Sequence, residues 1–115
     1  MIKIFLTLFV FMPQLVMSAT WRTGDYKIEL VKDSRADWVS KECEISCGID
    51  EKVKNYLKSH SISAEELSGG KHPGSILCKK IKGKIIYLRL ENIEEAFCEI
   101  EKNTVSISRL SHFIP

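Results

Sequence analysis

The sequence has no marked surplus of one charge: 17 Lys and Arg stand against 15 Asp and Glu, a formal +2. A nucleic-acid binder normally gathers a clear positive excess on one face, so this balance argues against that class, and no nucleic acid is expected as a partner. The chain also has no Gly-rich phosphate loop, no repeat and no low-complexity tract. Beyond the N-terminus, no segment is long and apolar enough to cross a membrane. The sequence also lacks the common cofactor patterns of cysteine, since the spacing of Cys43, Cys47, Cys78 and Cys98 fits none of them. Three residues separate Cys43 from Cys47 and the other two stand alone, which does not match a zinc site. Thioredoxin-like dithiols have two intervening residues, and haem attachment needs a histidine where Gly48 stands. No metal and no cofactor are expected.

What is present begins with "MIKIFLTLFVFMPQLVMSATW". One positive residue, Lys3, precedes an apolar run from Ile4 to Met17, and the small residues Ser18 and Ala19 follow. This is the pattern of a secretory signal peptide over residues 1–18, cleaved after Ser18 or Ala19. Pro13 and Gln14 interrupt the run, which is shorter than the roughly 18–20 residues of a spanning helix. Lys3 is the only charge removed, so residues 19–115 form one small, nearly neutral domain. The implied location is exported, periplasmic or secreted, with no stable membrane span after processing and an unknown exported or envelope protein as partner.

"YKIELV" alternates Tyr26, Ile28 and Leu30 with Lys27 and Glu29, the pattern of a half-buried strand. From Asp33 or Ser34, either a suitable N-cap, Ala36, Val39, Cys43 and Cys47 recur at intervals that place them on one helical face, with Gly48 as a stop. Asp50 can cap a second helix, "EKVKNYLKSH", whose stripe is Val53, Tyr56 and Leu57. "SAEELSGG" is a short turn of helix, with Ser63 and Glu66 at capping-box spacing. "SGGK" then connects this N-terminal helical region, 19–68, to a C-terminal part, 69–115.

In "HPGSILCKKIKGK" His72 is placed to cap a helix that starts at Pro73. Ile76, Leu77, Cys78 and Ile81 make its apolar face, Lys79, Lys80 and Lys82 suit its last turn, and Gly83 is expected to end it. "KIIYLRL", "EAFCEIE" and "TVSISRL" are β-rich runs with short polar connections, which imply an antiparallel meander. The acidic residues Glu91, Glu94, Glu95, Glu99 and Glu101 can lie near the lysines of the helix end. The expected fold is α+β: an N-terminal helical half, then a helix packed on a three-stranded antiparallel meander, stapled by disulfides.

An even cysteine count in a small exported domain reads as two disulfides. Cys78 on the covering helix and Cys98 on the middle strand can meet, closing a loop of about 20 residues that stabilises by roughly 3 kcal/mol in the chain-entropy model. Cys43 and Cys47 pose a problem, because four residues of intact helix hold their Cβ atoms too far apart for a relaxed disulfide. Either the helix ends before Cys47 and "CEISCG" closes a small loop, or these cysteines cross-link elsewhere; the first, paired with Cys78–Cys98, is the favoured arrangement.

Over about residues 69–110, "GGKHPGSILCKKIKGKIIYLRLENIEEAFCEIEKNTVSIS" resembles the bacterial family catalogued as domain of unknown function 333 and often labelled haemolysin. The matching residues are Pro73, Gly74, Ser75, Cys78, Gly83 and Cys98, with His72 where asparagine is usual and no Asp-Gly turn after the second cysteine. The resemblance implies export and a Cys78–Cys98 disulfide, and it carries over no catalytic residue.

Candidate chemistry is thin. His60, His72 and His112 each sit beside a serine, a proline or a chain end, and a surface or capping role is expected for them over a hydrolase triad. Glu65 with Glu66 and Glu94 with Glu95 are adjacent, so on a strand they would face opposite ways. Trp21 and Trp38 are expected in the core. These observations imply no catalytic residue and a non-enzymatic binding or accessory module. A membrane-active, haemolysin-like factor and thiol–disulfide exchange by Cys43 and Cys47 are the alternatives.

Overall fold

The computed structural model describes residues 18–70 and 72–114, so the expected leader, apart from Ser18, lies outside the described residues. Six strands, β1 (Ser18–Thr23), β2 (Tyr26–Lys32), β3 (Trp38–Val39), β4 (Lys84–Leu90), β5 (Ile93–Ile100) and β6 (Asn103–Ser106), are joined by short helices. The helices are α1 (Gly48–Ser59), α2 (Ala64–Ser68), α3 (Pro73–Lys80) and α4 (Ile107–Ser111), with a 3-10 turn at Lys41–Cys43. The strands close into an antiparallel barrel in the order β1-β2-β3-β6-β5-β4. This overturns the expected α+β arrangement. The β4–β5–β6 meander exists, but as one half of a barrel whose other half comes from the region expected to be helical.

The reason lies in the turn after β2. Asp33 does not cap a helix: its Oδ1 accepts the N–H groups of both Arg35 and Asp37, each at 2.9 Å. Such local bonds compete with helix formation. Ala36 takes a left-handed φ of 63° and the chain reverses into β3. Ser40 then extends this two-residue strand by donating from its hydroxyl to the Thr104 carbonyl at 2.9 Å. Helix α1 starts at Gly48 rather than after Asp50, and Asp50 accepts the Cys47 N–H at 3.0 Å from inside the first turn. "TVSISRL" divides, ending as a strand at Ser106, whose hydroxyl caps α4. β1 was hidden in the sequence because its start overlaps the end of the leader pattern.

The strand alternation creates two cores. Inside the barrel lie Trp21, Leu30, Leu88 and Phe97, with the Trp21 ring edge-on to Phe97 at 5.1 Å and to the half-buried Trp38 at 5.6 Å. Outside it, Val39, Cys98 and Val105 meet Val53, Leu77, Cys78 and Leu110 from the helices. Cys78–Cys98 crosses this second core, with both cysteines fully buried. Cys43–Cys47 closes a small loop between the 3-10 turn and the start of α1, its Cα atoms 4.7 Å apart.

Helix α3 explains the "HPGS" grammar. His72 Nδ1 accepts the Gly74 N–H at 3.0 Å. A Cβ on Gly74 would collide with the Ile107 carbonyl oxygen, so this glycine lets α3 touch α4. Lys80 pairs with Glu66 of α2 at 3.0 Å, not with the acidic residues of the strands. Gly83, expected to end the helix, follows the residue that takes the left-handed conformation: Lys82 holds it at φ 66°. The Lys82 and Gly83 N–H groups close the helix end on the Lys79 and Cys78 carbonyls at 3.0 and 2.7 Å, the Schellman pattern. Gly83 is small because a Cβ there would stand 2.5 Å from Cys98 Sγ and 2.8 Å from Cys78 Sγ.

These two neighbours therefore respond in opposite directions. Lys82→Gly relieves a left-handed lysine and is expected to raise stability by about 1 kcal/mol. Gly83→Ala crowds the disulfide and is expected to lower it by about 1–3 kcal/mol. Urea melts of the oxidised proteins check both signs. The two-residue hairpin turns of β4–β5 and β5–β6 place Glu91 and Glu101 at φ 53° and 56°, so Glu91→Gly should give a gain of similar size, read as a shift in the urea midpoint.

Candidate functional site

At one end of the barrel, Arg109 of α4 draws together the turn after β2 and the continuous stretch that runs from Cys43 into α1. Its Nε donates to Asp50 Oδ1 at 3.2 Å and its Nη2 to Asp50 Oδ2 at 2.7 Å. Nη1 donates to Asp33 Oδ2, and Nη2 also reaches the Ile45 carbonyl at 3.3 Å. The guanidinium thus joins the β2–β3 turn, the Cys43–Cys47 loop and the first turn of α1. Both carboxylate side chains are 3% exposed, and an unpaired charge at that depth would carry a heavy desolvation cost.

Burial by itself would push the Asp33 carboxyl up. The N–H groups of Asp37 and Arg35 and the Arg109 guanidinium outweigh that and hold it below the ordinary value of 3.8. Burial likewise disfavours the Arg109 charge, but hydrogen bonds and attraction from Asp50 and Asp33 raise its affinity for the proton.

Above the clamp opens a cleft of about 530 Å³. One wall is the turn carrying Lys32, Ser34 and Arg35, another the disulfide loop with Ile45, and the third the C-terminal residues His112 and Phe113. Ile45, at the loop tip, is 93% exposed.

Behind this cleft the barrel mouth holds a second polar group. Ser108 donates to Asp37 Oδ1 at 3.2 Å, and His112 Nδ1 stands 3.5 Å from Asp37 Oδ2, too poorly placed to make a hydrogen bond. Glu95 points into the barrel, as its register opposite Leu88 requires, while Glu94 faces solvent. The inner oxygen of Glu95, Oε2, has no partner. Burial, then the charge of Asp37, raises its carboxyl above the ordinary 4.5, with Lys32 opposing. Lys32 Nζ lies 5.2 Å from the centre of the Trp38 ring.

The residues singled out from sequence are dispersed. His60 is exposed and stacks on Tyr56 at 4.5 Å, and His72 is a helix cap. Only His112 reaches the cleft, and there Asp37 sits between it and Ser108. Ser108 donates its hydrogen bond to the carboxylate, which is not the nucleophile-to-imidazole bond of a hydrolase triad. Pro73, Gly74, Ser75 and Gly83 lie about α3 and outside the cleft lining. Sequence reasoning missed Arg109, Asp33, Asp37, Asp50 and Glu95 as a group. The one sequence signal available was an arginine beside Ile107 and Leu110 in "SISRLSHF", too far from its partners in the chain to be paired with them.

Fold and cleft together define a small antiparallel barrel with two disulfides and a polar cleft fastened by a buried arginine. No family model, curated protein or solved structure matches the chain.

The buried charges make two predictions of opposite sign. Asp33 binds its proton less tightly when folded, so its contribution is complete above pH 3.8 and is lost as pH falls through the lower folded value. Arg109→Met leaves two buried carboxylates unpaired and should cost about 3–5 kcal/mol at neutral pH, a loss that shrinks on acidification. Glu95 binds its proton more tightly when folded, so it costs stability once the pH rises through 4.5. Glu95→Gln is therefore expected to stabilise at pH 7 and to change little below pH 4.5. Melts across pH 2.5–7 distinguish the two behaviours.

Proposed function

We propose that this chain is an exported bacterial binding or accessory module, non-enzymatic, that holds an envelope or secreted partner at the Arg109 cleft. The observation that carries the reading is the construction of that cleft. Its walls are tied by a disulfide and a three-way ion pair, while its rim offers Lys32, Arg35, Ile45 and Phe113 to a partner. Preorganised walls lower the entropy lost on binding. The Ser108-to-Asp37 bond favours binding over hydrolysis, since the serine is not activated by His112. Export is supported by the leader pattern and by two disulfides, which persist in oxidising compartments. The resemblance to the domain of unknown function 333 family over about residues 69–110 points the same way.

The membrane-active alternative draws less support. Among the described residues no helix is long and apolar enough to cross a membrane. Trp21, Leu30, Leu88 and Phe97 pack inside the barrel beside Glu95, and the outer faces of β1, β2 and β4 carry exposed Arg22, Lys27 and Arg89, unlike the apolar outer band of a spanning barrel.

Thiol–disulfide exchange has one observation in its favour: Cys47 is half-buried and sits at the start of the 12-residue α1, a position that favours a thiolate. Limited reduction followed by alkylation and peptide mapping should label Cys47 before either member of the buried Cys78–Cys98 pair. Catalysed reduction of a test disulfide, lost in Cys47→Ser, would favour exchange as the function.

A photoreactive residue at Ser34 tests the main reading. It is expected to cross-link one envelope or secreted protein, with the product abolished by combined Lys32→Glu and Arg35→Glu. A product unaffected by those changes, or a turnover abolished by His112→Ala, would contradict the proposal.

A further inference from the structure

We infer that the outer wall of the barrel seam docks on an anionic phospholipid surface, independently of the cleft. β1 meets β4 through a single residue pair, Arg22 opposite Arg89, and Arg22 also stands directly opposite Lys27 of β2. Residues directly opposed in antiparallel strands share a face, with Cβ atoms roughly 4.5–5.5 Å apart. Their neighbours Trp21 and Leu88 fill the barrel, so Lys27, Arg22 and Arg89 point outward, and all three are exposed.

The row gives the fold no evident benefit. Like charges directly opposed across strands are destabilising, and these occupy the point where the barrel closes. None of the three has an ion-pair partner among the described residues. Glu94, opposite Arg89, and Glu29, two residues from Lys27, share the face and offset part of its charge.

The shape of the row selects the partner. Lys27, Arg22 and Arg89 stand side by side on the outer face of three neighbouring strands, a row along an outer wall. An extended surface of closely spaced phosphates suits it. Tyr87, two residues before Arg89 on the same face, is 60% exposed, and Ile93 at the β4–β5 hairpin is 58% exposed. An exposed tyrosine beside cations suits the headgroup level of a bilayer. The docking is peripheral: the charged wall rests on the headgroups and no strand enters the hydrocarbon.

Flotation of the oxidised protein with vesicles tests this. Vesicles of equal phosphatidylglycerol and phosphatidylcholine are compared with phosphatidylcholine alone, so that any contribution of an apolar segment cancels. The expected result is binding that depends on phosphatidylglycerol and weakens with salt. It should fall about fivefold for Arg89→Gln and about a hundredfold for Lys27→Gln, Arg22→Gln and Arg89→Gln together, from about 1 kcal/mol per cation. Glu94→Gln should strengthen it, which loss of folding cannot mimic. No preference for phosphatidylglycerol, or a preference unchanged in the triple variant, overturns the proposal. Binding to soluble polyglutamate without binding to vesicles also overturns it, in favour of an acidic protein partner.

Discussion

Arg109 is the constraint on which one end of the molecule depends. A buried guanidinium needs its donors filled by fixed acceptors, and here they come from Asp33, Asp50 and the Ile45 carbonyl, all far from Arg109 in sequence. Arg109 of α4 fastens the β2–β3 turn to the disulfide loop and the start of α1, which follow one another directly in the chain. Asp33 and Asp50 are committed twice, because each also accepts backbone N–H groups that shape its own segment. Local turn, helix start and tertiary ion pair therefore form as one cooperative unit, and the cleft is the space left above it.

The two disulfides work on different links of the chain. Cys78–Cys98 spans 20 residues and ties α3 to β5 through the outer core, so its effect falls on global stability. Cys43–Cys47 spans four and shapes a loop whose carbonyl Arg109 uses, so its effect falls on the cleft wall. The tight glycines follow the same division of labour: Gly74 admits α4 against α3, and Gly83 makes room for the sulfurs.

The legible part of the fold was what depends on nearby residues. The strand at Tyr26–Lys32, the runs that become β4 and β5, the Ser63–Glu66 capping box and the His72-Pro73 helix start all follow from spacing within a few positions. The barrel was not legible, for two physical reasons. Asp33 used its side chain to make a turn where helical periodicity through Ala36 and Val39 suggested continuation. Barrel closure depends on β1, whose first residues carry the features of a leader's cleavage site. The cleft was less legible still, because Asp33, Asp37, Asp50, Glu95 and Arg109 acquire a relation only through tertiary contacts, and their local sequence favours ordinary surface roles. Lys82 shows the same limit on a small scale: Gly83 was the obvious helix stop, yet the sulfurs of a distant disulfide claimed it.

Amide hydrogen exchange at neutral pH tests the clamp most directly. If Arg109 organises the cleft, the N–H groups of Arg35, Asp37 and Cys47, which end on the Asp33 and Asp50 carboxylates, will exchange as slowly as those of β5 and lose that protection together in Arg109→Met. Fast exchange at these three amides in the unmodified protein, at the rate of an exposed loop, would contradict it.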